Sequence, residues 1–438
     1  MRLSSAKSRD YGNGNDTVNV AALSLVLAAI FLWGVFSARV AAISTPIFFV
    51  ATGVAMTEGL RLVHAQPDPH ATKLIAEVTL VWVLFADASR VRFSALQTDF
   101  KRYLRLLALG LPMTIAFGAG TAAAVLDISP WYALLLGAAL APTDAALGSA
   151  VMSDQRVPSR VRQTLNVESG LNDGLATPVV TVALAAIAAQ AGAAQEGTPH
   201  ALLGLLLGAT MGALLGALGG ALLRAAGQRG WSSEEFAGPA VLALSLLTYL
   251  CAIPIGANGF VAAFVAGSTF GAFAGRRGET EVYYVEQTCG LASMISWLLF
   301  GALALPNVAE DWSWQILLYA VLSLTVIRML PVAISLLGAR IDWRTVAFIG
   351  WFGPRGLASI VFALIAREDL HGLPGPIDEV VATIALTVVL SVVVHGVTAQ
   401  PLAGRYAATH PVHLEPVQHP EPTLRRLVAS RKAADPSQ

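Results

Sequence analysis

Charged residues are scarce in this 438-residue chain. Asp, Glu, Lys and Arg together make up 13% of it, whereas about 25% is usual for a soluble domain. The 28 basic and 28 acidic residues also cancel, so the chain lacks the Lys/Arg excess that nucleic-acid binding requires. The two cysteines, Cys251 and Cys289, fall within apolar segments, which argues against a disulfide framework or a thiolate metal site. We expect no cofactor and no nucleic-acid partner.

Apolar residues, in contrast, are abundant. They make up 55% of the chain, and the mean hydropathy is +0.64. A helix that crosses the hydrocarbon core of a lipid bilayer needs about 20 of them. Thirteen segments come close to this length or exceed it: 18–38, 41–60, 73–89, 104–126, 131–152, 159–188, 200–223, 235–253, 257–274, 283–305, 313–338, 344–366 and 378–400. The predicted fold class is therefore an all-α polytopic membrane protein with about 13 transmembrane helices.

The basic residues of the loops predict the orientation. Loops after even-numbered spans hold only Arg61, Lys73 and Arg367. Loops after odd-numbered spans hold fifteen: Arg39, Arg90, Arg92, Lys101, Arg102, Arg105, Arg156, Arg160, Arg162, Arg224, Arg229, Arg276, Arg277, Arg340 and Arg344. Because cytoplasmic loops carry the Lys/Arg excess, we place the odd loops in the cytoplasm. In a cell (inner) membrane, this puts the N-terminus outside and the C-terminus inside.

Three regions follow from this topology. Residues 1–17 are polar and predict an extracytoplasmic N-terminal segment, and residues 18–400 form the membrane domain. Residues 401–438 are rich in Pro, His and charge, a composition that cannot build a core and predicts a disordered cytoplasmic tail.

Two of the spans carry helix-breaking residues at mid-depth. Span five, "LLLGAALAPTDAALGSAVM", contains Pro142, and span twelve, "VAFIGWFGPRGLASIVFALIA", contains Gly353, Pro354 and Gly356. Being seven spans apart, they cross the membrane in opposite directions, as inverted-topology repeats require. Paired interrupted spans of this kind point to the substrate site of a secondary transporter. Ordinary proline kinks are the alternative.

Both interruptions also carry a charge, Asp144 in the first and Arg355 in the second. An intramembrane charge costs about 2.5–3.5 kcal/mol even on the lenient insertion scale. The placement of a charge at each interruption therefore favours a functional site over two simple kinks.

Span six contains two further carboxylates in the stretch "NVESGLNDGLATP". At 100° per residue, Ser169 and Asp173 share one stripe of the helix, and Glu168 and Asn172 share a neighbouring one. Arg328 and Arg355 are the only basic residues within the predicted spans that could pair with these carboxylates.

We expect Glu168 to form a buried ion pair with Arg328, which leaves Asp173 without a fixed partner. Such a carboxylate is stabilised by a proton or by a monovalent cation, and it cannot hold both. The alternative is two structural salt bridges that use all four charges.

The sequence also resembles a known family. The stretches "APTDAALGSAVMSDQRVPSRVRQTLNVESGLNDG", "WFGPRGLASI" and "VVVHGVTAQPLAGRY" resemble the bacterial sodium/proton antiporters of the monovalent cation:proton antiporter-1 family. The resemblance implies that Asp173, in an Asn-Asp pair with Asn172, alternately takes the proton and the cation. It also implies the Glu168–Arg328 ion pair and roles for Thr143 and Asp144 at the broken helix and for Asp87 in the third span. Where that family often has a proline after the Thr-Asp, this chain has Ala145.

The expected mechanism combines these pieces. Asp173, Ser169 and Thr143 would supply oxygen ligands for a monovalent cation, Na⁺ or else Li⁺ or K⁺. Asp144 and Arg355 would neutralise the half-helix ends at the crossing. With Asn172 rather than a second acid, one exchangeable charge remains, which, as the resemblance also implies, favours electroneutral one-for-one exchange with protons in pH homeostasis.

Alternating access would move a core bundle against the rest of the protein. We expect the core bundle to be residues 104–188 and 313–400, and the remainder to form a scaffold and homodimer domain. Span seven, "LLGLLLGATMGALLGALGGALL", has small residues at every fourth position, which permits close packing either with another helix of the same chain or at a dimer interface.

Two residues have open roles. Asp87 either approaches the ion path or pairs locally with Arg90. His395 in the last span either senses pH or forms neutral hydrogen bonds to a neighbouring helix, and the second is favoured.

Three other functions fit some of these features. The main alternative is a sodium-coupled solute symporter, which shares the logic of inverted repeats. An intramembrane aspartyl protease would use Asp144 and Asp173 as a proton-sharing pair, but thirteen spans with two interruptions exceed what proteolysis needs. A cation channel would need a continuous polar pore. We therefore expect a transporter and not an enzyme.

Overall fold

The structure is a computed structural model, which describes residues 11–37, 39–40, 44–59, 69–91, 99–192, 198–275, 277–310 and 312–410. These residues form helices and connecting segments, with no strand among them. The helices are α1 (Tyr11–Phe36), α2 (Thr45–Val54), α3 (Pro69–Arg90), α4 (Phe100–Arg105), α5 (Leu111–Leu126), α6 (Pro130–Ala139), α7 (Ala145–Met152), α8 (Ser159–Gln190), α9 (Thr198–Gln228), α10 (Glu234–Ala252), α11 (Gly259–Ala274), α12 (Arg277–Glu310), α13 (Trp314–Leu324), α14 (Val326–Ser335), α15 (Trp343–Trp351), α16 (Leu357–Asp369) and α17 (Ile377–Thr409).

Each predicted span overlaps one helix or a pair of consecutive helices, which confirms the all-α membrane fold. In the described part of the chain, six helical stretches are long and apolar enough to cross a membrane. They are Phe100–Leu126, Ser159–Gln190, Pro199–Gln228, Glu235–Ile255, Trp314–Ser335 and Ile377–Thr409. The exact count of thirteen crossings stays a prediction.

The boundaries differ from the prediction at both ends of the chain. Helix α1 already begins at Tyr11, seven residues before the predicted start, and α17 continues to Thr409. The helix therefore includes the first nine residues of the segment predicted to be a disordered tail. Apolar and aromatic side chains explain the extension, since Ala403 and Tyr406 are buried. Residues 1–10 and 411–438 of the two predicted terminal segments lie outside the described residues.

The two predicted interruptions are present. Residues 140–144 separate α6 from α7, and residues 352–356 separate α15 from α16. Proline cannot donate a backbone hydrogen bond and clashes with the preceding turn, so Pro142 and Pro354 account for both. Each interrupted span is thus a pair of half-helices joined by an extended segment at mid-depth.

A third interruption was not predicted. Span eleven, expected to be continuous over 313–338, divides into α13 and α14 at Thr325, whose φ and ψ are −113° and −93°. The hydroxyl of Thr325 donates to the carbonyl of Val321 at 2.7 Å. Threonine bonded back to the preceding turn in this way bends helices, and here it coincides with the interruption.

The glycine stripe of α9 packs against α11 of the same chain. The members of the stripe are Gly204, Gly208, Gly212, Gly216 and Gly220, and a Cβ added to any of them would overlap backbone atoms of α11 or of the turn before it. The small residues therefore serve close packing within the chain, one of the two interpretations that the sequence left open. This stripe is not available for a dimer interface.

Helix α8 lies at the centre of the packing. It contacts α6, α7, α3, α9 and α11, and its polar residues Glu168, Ser169, Asn172 and Asp173 are all buried. Buried polar groups need hydrogen-bond or charge partners. The positions of those partners define the candidate site.

Candidate functional site

The two interrupted spans cross at their extended segments. The backbone N–H of Asp144, just before α7, donates to the carbonyl of Pro354 at 2.8 Å. This bond is possible because neither of these two backbone groups makes a hydrogen bond within a helix. The unpaired polar groups of one interruption thus find partners in the other, as irregular backbone at membrane depth requires.

Asp144 caps two half-helices at once. Its Oδ1 accepts from the N–H groups of Ala146 at 2.7 Å and Leu147 at 3.2 Å, in the first turn of α7. Its Oδ2 accepts from the N–H of Leu357 at 2.9 Å, the first residue of α16. Both helix N-termini carry partial positive charge. The carboxylate therefore compensates the two helix ends that meet at the crossing.

Arg355 compensates the opposite kind of helix end. Its guanidinium is fully buried, and its Nη1 donates to the carbonyls of Ala141 at 2.6 Å and Pro142 at 3.3 Å, directly after α6. Its Nη2 donates to the carbonyl of Ser323 at 3.4 Å, in the last turn of α13. Carbonyls at helix C-termini favour a cation. The structure thus places Asp144 and Arg355 at helix ends of the sign expected for each.

Two glycines of span twelve make room for these charges. A Cβ added to Gly356 would overlap the carboxylate of Asp144, and one added to Gly353 would overlap the guanidinium of Arg328. The stretch "GPRG" therefore combines one helix breaker with two positions where a charged side chain must approach the backbone.

A chain of hydrogen bonds joins α8 to the interruption of span five. Asn172 Nδ2 donates to Thr143 Oγ1 at 2.7 Å, and Thr143 Oγ1 lies 2.9 Å from Ser169 Oγ. The predicted site residues Thr143 and Ser169 are therefore in direct contact. Asn172, which the helical wheel put on a different stripe, belongs to the same network because residues three apart are also neighbours on a helix.

Asp173 lies beside this network without joining it. The residue is 8% exposed, and its Oδ1 is a buried oxygen with no hydrogen-bond partner among the described residues. The nearby carboxylates of Asp87 and Asp144 add negative potential at this position. In the part of the chain that the structure describes, Asp173 forms no ion pair.

Glu168, one residue before Ser169, has a cation of its own. Arg328 Nη1 donates to Glu168 Oε1 at 2.5 Å, and both side chains are buried. The structure therefore brings together the two residues of the predicted ion pair, which are 160 positions apart in the sequence. Arg328 and Arg355 are thus committed to Glu168 and to backbone carbonyls respectively.

Asp87 on α3 faces α8. A Cβ built on Gly170 would lie 3.7 Å from the Cβ of Asp87, so Asp87 packs against α8 one turn before Asp173. The local partner considered for Asp87, Arg90, forms its ion pair with Glu286 on α12. Asp87 and Asp144 both remain partly exposed. The geometry thus places Asp87 near the candidate site.

Sequence reasoning missed the role of Ser391 on α17. Its hydroxyl accepts from the backbone N–H of Arg355 at 2.7 Å. His395, one turn later, has Nδ1 at 2.9 Å from the carbonyl of Ser391 and Nε2 at 2.9 Å from the carbonyl of Trp351, the last residue of α15. The two residues attach α17 to the interruption of span twelve. His395 therefore has the hydrogen bond to a neighbouring helix that its second interpretation predicts.

A second missed contact joins the start of α3 to the end of α16. Lys73 Nζ on α3 is 2.6 Å from Asp369 Oδ1, at the end of α16, and 3.8 Å from Glu77 Oε1. Only the charge of these residues was visible in the sequence, since no local pattern connects positions 73 and 369.

Comparison with known proteins shows which family this sequence matches. Residues 25–405 match a family model described as "Sodium/hydrogen exchanger, transmembrane". The chain is 26% identical over 391 residues to the K⁺/H⁺ antiporter NhaP of Alkalimonas amylolytica, covering 86% of this chain and 66% of that protein. It is 29% identical over 352 residues to the Na⁺/H⁺ antiporter 2 of Zygosaccharomyces rouxii, covering 69% and 42%. The chain thus spans less than two thirds of the length of these relatives.

The fold has also been seen in a solved structure. The sodium proton antiporter MjNhaP1 from Methanocaldococcus jannaschii superposes with a TM-score of 0.73 at 20% sequence identity, over 89% of this chain and 99% of that one. At this identity the similarity demonstrates a shared fold. This chain therefore shares its all-helical fold with a sodium proton antiporter of known structure.

Proposed function

Because this chain belongs to the sodium/hydrogen exchanger family, we propose that it exchanges a monovalent cation for protons, with Asp173 as the carboxyl group that binds either one. The observation that carries the proposal is the contrast between two neighbouring acids on α8. Glu168 is neutralised by Arg328, whereas Asp173 is buried with a free Oδ1 and no ion pair among the described residues.

Burial gives this carboxyl group its chemistry. An isolated anion in a medium of low dielectric is costly, so Asp173 is stabilised by whatever positive charge it can bind. A proton and a metal ion compete for the same oxygens, and binding of one displaces the other. Competition at one site couples an outward flux to an inward one, provided that the site changes sides only with a proton or a cation bound.

The oxygens around Asp173 are suited to be the other ligands of the cation. Thr143 and Ser169 supply hydroxyl oxygens that already lie 2.9 Å apart. Asn172 Oδ1 is a further buried oxygen with no donor among the described residues. Hard monovalent cations prefer oxygen ligands of this kind. We therefore add the Asn172 amide oxygen to the predicted ligands Asp173, Ser169 and Thr143.

Asp144 and Asp87 have less direct roles in this proposal. The two oxygens of Asp144 already accept from three backbone N–H groups, which suits a residue that holds the crossing together and adds negative potential near the cation. Asp87 adds a second negative charge beside α8. The aspartyl protease alternative would require Asp144 and Asp173 to share a proton, and the backbone bonds of Asp144 oppose that use.

The charge count supports one-for-one exchange. Arg328 cancels Glu168 and Asn172 is neutral, so Asp173 is the one acid on this part of α8 whose charge is free to change. One H⁺ for one monovalent cation moves no net charge. The relatives are named for K⁺ in one case and Na⁺ in another, and we propose Na⁺ as the first cation to test, followed by Li⁺ and K⁺.

Alternating access assigns the helices to two moving parts. In this proposal residues 104–188 and 313–400 form the core bundle that carries Asp173, and the remainder forms a scaffold through which two copies of the chain associate as a homodimer. The Lys73–Asp369 ion pair links α3 of the scaffold with α16 of the core, on the predicted outer side. Rearrangement between the two parts would have to break this contact. The N-terminus would face outward and the C-terminus the cytoplasm of the cell (inner) membrane.

Reconstitution tests the function. Vesicles that contain the purified protein are loaded at acid pH with a pH-sensitive dye, and Na⁺, Li⁺ or K⁺ is added without any organic solute. An exchanger removes protons from the lumen and restores the dye's fluorescence, while a potential-sensitive dye stays constant if exchange is one for one. A solute symporter would give no proton flux under these conditions, and that result would overturn the proposal.

A further inference from the structure

A basic cavity lies at the end of the core bundle that the charge pattern places in the cytoplasm. Its volume is about 570 Å³, and it is formed by the start of α4 and by the segment that follows α14. Four basic side chains and one acidic side chain line it: Lys101, Arg102, Arg105, Arg340 and Asp99. The cavity is therefore strongly positive, in a chain whose overall net charge is zero.

Part of this charge is already used by the protein. Arg105 Nη1 donates to the carbonyl of Leu337 at 2.9 Å, just beyond the end of α14. Arg102 lies 3.4 Å from Asp99, and Arg160 lies 3.9 Å from the same carboxylate. The first contact joins α4 to the segment after α14, and the other two neutralise the one acid of the cavity.

Lys101 and Arg340 have no such partner. Both are exposed, and within the described residues neither forms an ion pair or a side-chain hydrogen bond. Arg340 also has a left-handed backbone, with φ at +54°, which is unfavourable for a residue with a side chain. The structure thus presents two cations at one cavity, one from α4 and one from the segment between α14 and α15.

Exposed apolar side chains occur on the elements that form the cavity and on the helix that follows. Phe100 and Leu104 on α4 and Leu337 after α14 are all about half exposed or more. Trp343, at the start of α15, is 73% exposed, and tryptophan is enriched where a membrane protein meets the lipid headgroups. A ligand bound here would touch basic groups with one end and an apolar surface with the other.

We propose that this cavity binds the phosphate group of an anionic membrane lipid, with Lys101 and Arg340 as the residues that contact the phosphate. Arginine and lysine are the side chains that recognise phosphate, and basic pockets between helices on the cytoplasmic side suit anionic headgroups. The acyl chains would lie along Phe100, Leu104 and Leu337. The bound lipid would bridge α4 and the end of α14, two elements of the core bundle.

Thermal unfolding of the purified full chain in detergent tests this proposal. Phosphatidylglycerol is titrated against phosphatidylcholine and against inorganic phosphate, and the Tm is measured. Ligands that bind the folded state raise the Tm. We expect phosphatidylglycerol to raise it more than phosphatidylcholine does. In the double variant Lys101→Gln/Arg340→Gln, the apparent affinity for phosphatidylglycerol should fall about tenfold or more.

A matched control removes the same charge elsewhere on the same face. Arg224 and Arg229, at the end of α9, are exposed and belong to a predicted cytoplasmic loop. Arg224→Gln/Arg229→Gln should keep the response of the unmodified protein to phosphatidylglycerol. If both double variants respond alike, or if phosphatidylcholine is as effective as phosphatidylglycerol, the proposed site is wrong.

The inorganic phosphate arm identifies the source of the phosphate group. No shift with free phosphate supports a lipid, because the apolar contacts then supply part of the affinity. A shift with free phosphate that is lost in Lys101→Gln/Arg340→Gln would support the same two contacts but would assign the ligand to solution and overturn the lipid. The readout does not involve ion exchange, so its outcome is independent of the proposed transport function.

Discussion

The carboxylate of Asp144 accepts a hydrogen bond of 2.9 Å from the backbone N–H of Leu357, 213 positions further along the chain. The same carboxylate caps its own helix, α7. One side chain therefore joins the N-termini of a half-helix from each interrupted span. Capping and charge compensation stabilise the crossing, as does apolar packing. The same contacts fix the position of the candidate cation site beside it.

Replacement of Asp144 tests the capping role. Asp144→Ala removes the acceptor for both helices, and each lost cap costs about 0.5–2 kcal/mol. We expect a clear fall in Tm in detergent together with loss of exchange. Asp144→Asn keeps one acceptor oxygen and should lie between Asp144→Ala and the unmodified protein in stability. If Asp144→Ala loses exchange with an unchanged Tm, Asp144 acts on the cation and not on the helix ends.

Replacement of Glu168 tests the buried ion pair. Glu168→Gln leaves the guanidinium of Arg328 buried without a counter-charge, and breaking a buried pair from one side costs about 3–5 kcal/mol. We expect a large drop in Tm in detergent. Asp378→Asn is the control, because it breaks an exposed pair with Arg367, and such pairs contribute about 0–1 kcal/mol. Equal Tm values for the two variants would contradict the structural role of Glu168.

The glycine stripe of α9 offers a test of close helix packing. In Gly212→Ala the new methyl group would overlap the carbonyl of Ala262 on α11, and overpacking costs about 1–3 kcal/mol. Gly120→Ala makes the same chemical change on α5, where no atom lies within 4 Å of the new Cβ. We expect Gly212→Ala to lower the Tm and Gly120→Ala to leave it unchanged or raise it slightly. The reverse order would contradict the α9–α11 packing.

The pH dependence of cation affinity follows from competition at Asp173. A protonated carboxyl group cannot bind the metal ion, so cation affinity falls as pH falls. With one competing proton, the KM for Na⁺ should rise about tenfold for each unit by which the pH falls, on the acid side of the titration. Initial rates in proteoliposomes over a series of pH values measure this slope. A slope of about two would indicate a second titrating group in the site.

The sequence was most informative where the signal is local. Pro142 and Pro354 interrupt their own helices, so both interruptions were predictable without knowledge of the fold. The ion pair between Glu168 and Arg328 was predictable for a different reason. Intramembrane charges are so rare in this chain that very few partners were available for a buried carboxylate.

Other features have no local signal. The interruption at Thr325 coincides with a threonine that bonds to the preceding turn, and Thr79 and Thr114 make the same bond without interrupting their helices. A serine such as Ser391 in an apolar helix gives no indication of which distant backbone it contacts. The stripe on α9 predicted close packing, but a pattern of glycines does not identify the partner helix.

The exchange activity of Asp173→Asn tests most directly whether Asp173 binds both the proton and the cation. Asparagine has nearly the same shape, but it can neither bind a proton at physiological pH nor offer a negative charge to a metal ion. We predict that Asp173→Asn, reconstituted in proteoliposomes, shows no cation-driven proton efflux, while Asp378→Asn, the same change at an exposed position, exchanges normally. Normal exchange by Asp173→Asn would show that another group carries the proton and the cation.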